Sequence, residues 1–367
     1  MLHLVNCLKG YNIRFLSKLE GNKMSNETML QIIEKYPWIK GENQKLIISP
    51  DSDGFLSALL FMNYFNAEVV GYYDCKIMLC DSHVDPRDCT FVDLDIFCKD
   101  IKSVGHHMVC YNKNNKPDNW YHYDNCIQLN NLRDFDCQHN FQQKYPFATI
   151  HFLISLLESV KSIKIAPEAI VPLLFSDGVC NNLFGYPENC LDWFKWLKAD
   201  CKESLLYDIF YKEIPFSAVM NHMNEFFKAR DCYNSTCYFD VNEMRVVEKK
   251  RSRSGHHMII TLSDGTPVNI IKNNNDTYDI FEQEKVRILG FIDLMADLMG
   301  WNSMKDKWNF KNLKLYKFKK ENMSMSSAVR LNQSTYKSMV EKDCFSMAIT
   351  AGSTIEYTRD INAFFRT

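Results

Sequence analysis

An α/β fold with a largely parallel sheet and flanking helices, followed by a smaller mixed α+β C-terminal domain, is what the sequence predicts. Three observations lead there. A strand candidate over 45–50, in which Leu46, Ile47 and Ile48 form an apolar block ended by Pro50, is followed by a helix, 55–65, that is apolar nearly all round. Four more strand-like runs follow at short intervals: "AEVVGYY" (67–73), "KIMLC" (76–80), "CTFVDLDIF" (89–97) and "KSVGHHMV" (102–109). A further apolar helix, "FATIHFLISLLESV" (147–160), supplies a cover for such a sheet.

The remaining elements fall into place around these. Residues 1–23 carry Lys9, Arg14, Lys18 and Glu20 and lack both a long apolar core and a small-residue cleavage site. They read as a leader or peripheral helix, with Met24 as an alternative start. Residues 112–146 are rich in Asn, Asp and Gln and predict an extended loop region. "EAIVPLLFSDGV" (168–179) is a further apolar run ending in an Asp-Gly turn signal, and Trp193 and Trp196 sit in another helix. Beyond a boundary in 200–235, "HHMIITLSDG" predicts a hairpin strand, "VRILGFIDLMADLMGW" a helix and "LKLYKFKK" a strand. The organisation expected is an N-terminal segment (1–40), a first domain (41–215) and a second domain (236–367).

Composition narrows the class. Of 367 residues, 46% are hydrophobic and 24% charged, which describes a globular chain. A formal charge of −2 gives no global pull towards nucleic acid or membrane, but residues 301–367 hold twelve Lys and Arg against six acids. Fourteen cysteines without any C-x-x-C pair predict scattered buried thiols in a reducing, cytoplasmic setting. No apolar run approaches the roughly 18 residues of a membrane span. There is no G-x-x-x-x-G-K, G-x-G-x-x-G, H-E-x-x-H or G-x-S-x-G, which argues against P-loop, dinucleotide, zincin and Ser-elbow chemistry.

The polar residues that stand out lie at or after the ends of the expected strands. They are Asp51 and Asp53 in "SPDSDG", Asp93 in "FVDLDIF", His106 and His107 in "SVGHHMV", and Asp177 in "LLFSDGV". Ligands of parallel α/β sheets bind beyond the carboxyl ends of strands. Gathering these carboxylates raises their pKa values unless a cation joins them, and carboxylate with imidazole suits a divalent metal. Taken singly, Asp-x-Asp-Gly is as well explained by a turn and helix cap, and Asp-Gly by a turn.

In order and spacing, these residues resemble the DHH phosphoesterase family of RecJ-like exonucleases, oligonucleotide and cyclic-dinucleotide phosphodiesterases and manganese pyrophosphatases. The matches are Ser49-Pro50-Asp51-Ser52-Asp53-Gly54 with Ser57-Ala58, then Asp93 (Asp95 is the alternative register), Gly105-His106-His107, and Asp177. They cover about residues 45–190. The resemblance implies Mn2+ or Mg2+, with Asp93 bridging two ions and Asp53, His106 and Asp177 completing one site. Asp51 would serve the other, and His107 would stand with Asp93 at the scissile phosphate. Two departures are plain: Ser49 replaces the usual His and Gly105 the usual Asp. They predict one tight and one weaker ion, the weaker one completed by substrate or by another residue such as His83 or Asp81.

The implied activity is hydrolysis of single-stranded nucleic acid or of short or cyclic oligonucleotides by metal-activated water. The alternative is a degenerate domain that binds nucleic acid, nucleotide or protein without catalysis; a pyrophosphatase-like role is a third class. In "KDKWNFKNLKLYKFKK" (305–320), lysines interleave with Trp308, Phe310, Tyr316 and Phe318. That pattern fits a single-strand-binding surface through Lys314 and Lys317, with Arg330 beyond. It fits equally a strand with one solvated and one core-facing side. "RSGHHM" (253–258) is the nearest approach to the Gly- and His-rich phosphate-contacting motif of the resembled family.

Overall fold

The computed structural model describes residues 27–253, 255–324, 344–351, 354–360 and 364–365. The expected leader, Met24 and Arg330 lie outside them. After helix α1 (Glu27–Lys35), strand β1 (Lys45–Ile48) enters the centre of the sheet. Its side chains alternate: Leu46 and Ile48 pack into the helical layer and Ile47 into the opposite face. Helix α2 (Ser52–Phe65) starts where the Asp51 carboxylate accepts from the amides of Asp53 and Gly54, both at 3.2 Å. It carries the chain back so that β2 (Glu68–Tyr73) runs parallel to β1.

On the other side of β1, β4 (Thr90–Val92), β5 (Lys102–Gly105) and β6 (Cys126–Gln128) continue the parallel block. The polar stretch expected as a loop therefore supplies an edge strand, β6. β3 (Ile77–Asp81) departs from the parallel expectation and pairs antiparallel with β2. Only residues 74–76 join the two, whereas a parallel crossover needs about a dozen residues.

The C-terminal strands extend the same sheet. β11 (Leu313–Ser324) pairs antiparallel first with β3 and then with β13 (Thr354–Asp360), which pairs with β12 (Cys344–Ala351). The spatial order is β12-β13-β11-β3-β2-β1-β4-β5-β6, within an 11-stranded sheet that also takes in β9 (Ile270–Lys272) and β10 (Tyr278–Ile280). A hairpin of β7 (Ser235–Asp240) and β8 (Arg245–Arg253) stands apart. "HHMIITLSDG" forms no strand beyond a bridge at Thr261, although its turn is present at Gly265 (φ 87°).

Helices α3 (Thr149–Leu157), α4 (Ile170–Phe175), α5 (Val179–Gly185), α6 (Pro187–Trp196), α7 (Leu205–Phe210), α8 (Phe216–Asp231) and α9 (Glu282–Met299) flank the sheet. The helical core joins Phe55 of α2 to Phe291 of α9 at 6.5 Å and to Trp308 at 5.9 Å. The C-terminal strands cover the other face, where Phe318 stacks on Phe345 (4.8 Å) and Tyr73 meets Phe318 edge-on (4.9 Å). The sheet also closes on itself: Phe97, just after β4, donates its amide to Phe345 of β12 at 2.7 Å.

Among the described residues no helix is long and apolar enough to cross a membrane, and the cysteines are free thiols. Trp308, Phe310, Tyr316 and Phe318 are buried at 4–7% exposure, and Lys314 and Lys317 point to solvent. The basic-aromatic stretch is thus a two-sided strand, and its rings fill the core rather than offering faces to bases.

Because β11 supplies the neighbour of β3, cutting the chain after Gly300 exposes a strand edge and strips the rings that cover Phe55 and Tyr72. The shortened chain is expected to aggregate and to lose its cooperative thermal transition. A soluble product melting like the full chain would show that the first 300 residues fold alone.

Candidate metal centre

Each expected strand-end residue is delivered by a change of backbone direction. β1 ends at Ser49 and the chain turns through Asp51 into α2. That turn is so tight that a Cβ on Gly54 would lie 2.0 Å from the Ser49 carbonyl oxygen. β4 ends at Asp93, whose φ of 58° swings the chain out of the strand; Asp177 has φ 51° at the kink between α4 and α5. Both are left-handed positions that Asp tolerates better than most residues, at a cost on the order of 1 kcal/mol. β5 runs straight into His106 and His107.

Asp93, His106, His107 and Asp177 converge. Each offers one donor atom, all within 4.8 Å of one another, and together they could hold a metal ion. His106 Nε2 is 3.0 Å from Asp177 Oδ2, and His107 Nε2 is 3.3 Å from Asp93 Oδ1. Thr149 Oγ1 ties two of them together, lying 2.8 Å from both Asp93 Oδ1 and His106 Nδ1. Burial first, then His107, lowers the His106 pKa to about 4, so the ring is neutral at pH 7. Its Nε2 and the Asp177 carboxylate oxygen, 3.0 Å apart, are close enough to share a proton or a cation. Two ligands at right angles on an ion with bonds of about 2.1 Å are themselves about 3.0 Å apart.

The other two acids are close by but engaged. Asp51 Oδ1 caps α2 and also takes the Ser49 hydroxyl at 3.0 Å. Asp53, fully buried, caps a different helix: its carboxylate accepts from the amides of Thr149 (2.6 Å) and Ile150 (3.0 Å) at the start of α3. Its nearest approach to the histidines is 3.9 Å, to His106 Nδ1. Ser49, in the place of an expected imidazole, donates to Asp93 Oδ2 at 2.5 Å. Burial first, then the neighbouring carboxylates, drives the pKa values of both Asp53 and Asp93 well above the usual range. Asp177 is held low, to about 2; burial opposes this, and the hydrogen bond and charge of His106 bring it about. That charge is not available from a neutral ring. We take His106 as neutral, since its burial is the larger effect.

Two clefts meet at Asp177, which lines both. One, of about 470 Å³, has apolar walls from Val171, Leu174, Phe175, Met223 and Phe227, with Asp51, His256 and His257 at its polar end. The other, of about 1130 Å³, opens over His106 and His107 towards Lys144, Asn182, Tyr186 and Glu188. The second His-His pair is brought here by its own anchors. The Met258 amide donates to the Pro50 carbonyl at 2.9 Å, and Arg287 donates to the carbonyls of Gly255 and His257.

The remaining expected residues lie elsewhere. Lys314 and Lys317 stand opposite Cys80 and Ile77 on β3 and line neither cleft; the Lys314 ammonium sits 5.2 Å from the Tyr316 ring. Asp81 accepts from the His83 amide and from Asn309 at the far end of β3, so neither His83 nor Asp81 completes a second ion site. Thr149, which ties Asp53, Asp93 and His106 together, was missed by sequence reasoning. Its only signal is a hydroxyl residue opening an apolar helix.

Asp93→Asn tests the charge balance. A carboxylate whose folded pKa is raised contributes most stability below about pH 4 and loses it as pH rises through the folded pKa. Metal-free Asp93→Asn should therefore melt no lower than the parent chain at pH 7–8, and addition of Mn2+ should no longer raise its melting temperature. An undiminished metal-induced rise would remove Asp93 from the centre.

Comparison of the chain with protein-family models, with curated proteins and with solved structures finds no match in any of the three.

Proposed function

We propose that the chain is a DHH-type phosphodiesterase that uses a divalent ion, Mn2+ or Mg2+, to hydrolyse short or cyclic oligonucleotides. The observation that carries this reading is the convergence of Asp93, His106, His107 and Asp177 at the strand ends, between two clefts that share Asp177. Asp93, His106 and Asp177 would hold the ion. A bound divalent ion would supply activation of water and neutralisation of charge developing on the phosphoryl group. His107, with a side chain 34% exposed, faces the larger cleft and can present a ring N–H to a phosphate oxygen there. Asp51 and Asp53 keep the two helix starts in place, and Ser49 fixes one oxygen of Asp93.

The charge of the clefts favours a short substrate over a long strand. Among the described residues lining them, Lys144 is the one Lys or Arg, and its ammonium is bound to the Ile349 carbonyl. Glu188 and Asp192 add negative charge to the larger cleft. A groove that tracks a polynucleotide needs rows of cations. One phosphodiester with a substituent in each cleft does not.

Hydrolysis of a labelled dinucleotide, a cyclic dinucleotide, a single-stranded 20-mer and pyrophosphate, each with Mn2+ or Mg2+, tests the reading. Metal-dependent cleavage is expected, fastest on the dinucleotides, and His107→Ala should lower kcat by about 10²–10⁴-fold. If nothing is cleaved under any metal while calorimetry detects nucleotide binding, the chain is a binding module. Faster cleavage of the 20-mer would overturn the preference for short substrates.

A further inference from the structure

We infer that Asp95 is the residue that positions the His106–His107 pair, and that it does so only because position 105 is glycine. The inference rests on reading the cluster as a metal centre; it does not depend on the substrate. Asp95 is 3% exposed, and a carboxylate buried that deeply needs strong donors. It finds them in the turn that follows β5. Its Oδ2 accepts from the His107 amide at 2.8 Å and from the Met108 amide at 3.0 Å, a pair of successive N–H groups closing on one oxygen. The Cys126 thiol points at the other oxygen, Oδ1, from 3.8 Å.

Gly105 makes room for that carboxylate. A Cβ at 105 would lie 2.8 Å from Asp95 Oδ1, 2.9 Å from its Cγ and 2.9 Å from the Leu94 carbonyl carbon. The backbone at 105 is ordinary strand, so space rather than φ demands glycine. In the motif that this stretch resembles, an acid precedes the two histidines; here the carboxylate beside them comes from ten residues upstream. His107 is thereby gripped on both sides of its peptide: Asp95 holds its N–H, and the Ile349 amide of β12 donates to its carbonyl at 2.9 Å. The ring that meets Asp93 is aimed by these two contacts. Losing a group that orients a ligand lowers metal affinity by about 10–100-fold.

Three measurements on the full chain test this. The first is a thermal double-mutant cycle. Gly105→Ala should lower the melting temperature in the parent chain and do so less in an Asp95→Ala background, because the contacts with the carboxylate are removed while that with the Leu94 carbonyl carbon remains. In the second, Asp95→Ala should abolish the hydrogen-exchange protection of the His107 and Met108 amides, whereas Asp95→Asn, which keeps an acceptor, should retain it. By the third, calorimetry, Asp95→Ala should bind Mn2+ about 10–100-fold more weakly and Asp95→Asn within about 10-fold of the parent. Equal cost of Gly105→Ala in both backgrounds, unaltered amide protection in Asp95→Ala, or parental Mn2+ affinity in Asp95→Ala would each overturn the assignment. If Asp95→Ala does not fold, Asp95→Ser, whose hydroxyl is one bond too short to reach both amides, carries the exchange and calorimetry measurements. If the parent chain itself binds no Mn2+, the metal-centre reading fails, and the cycle and the amide protection still decide whether Asp95 and Gly105 act as a matched pair.

Discussion

The Asp53 carboxylate sets the first turn of α3, and the candidate centre is assembled around that contact. A helix start leaves four amides without partners and carries partial positive charge. Asp53 accepts hydrogen bonds from two of those amides from the opening of another helix, in a site sealed from water. The contact fixes Thr149, whose hydroxyl then reaches Asp93 and His106. Three segments far apart in sequence are thereby held in one register: the turn after β1, the end of β4 and the end of β5. The Ser49 hydroxyl adds a fourth tie, from the first turn to Asp93.

That assembly concentrates charge it cannot neutralise alone. Asp53 and Asp93 are buried, Asp51 and Asp177 stand beside them, and burial lowers the pKa of the neighbouring His106 imidazole. Protons relieve the conflict by raising the carboxyl pKa values; a divalent ion relieves it while leaving the carboxylates ionised. His106 Nε2 and Asp177 Oδ2, 3.0 Å apart, lie within the cluster where that need is concentrated. The acids divide: Asp51 and Asp53 serve helix starts, while Asp93 and Asp177, both at left-handed turns, belong to the cluster that could hold an ion.

The C-terminal strands are part of the site's support as well as of the sheet. β12 donates to His107 through Ile349, accepts the Lys144 ammonium at the same residue, and pairs with Phe97 just past Asp93. The far face of the sheet, built on Tyr73, Phe91, Phe318 and Phe345, keeps those strands in place. Movement of β12 would therefore be felt at the histidines.

What the sequence determined by itself is the local periodicity and the punctuation. The α/β class, the buried α2, the long α9 and the acids and histidines at strand ends all follow from patterns spanning a few residues. The direction of β3 was also legible, because three linking residues cannot make a parallel crossover, although the run of strands suggested otherwise. Tertiary structure decided everything that depends on a partner. Alternating Lys and aromatic residues look the same on a nucleic-acid-binding face and on a strand with a buried side; only the fold shows that the Tyr316 and Phe318 rings belong to the core. Asp93 and Asp95 are equivalent in spacing and would share one face of a regular strand. The left-handed backbone at Asp93 separates them, sending one to the centre and the other to the amides behind it. Nor could spacing bring His256 and His257 to the cleft beside Asp51 and Asp177, since that placement rests on Arg287 and on the bond from Met258 to Pro50. A period reports which side of an element is apolar. It carries no record of which distant backbone that side will meet.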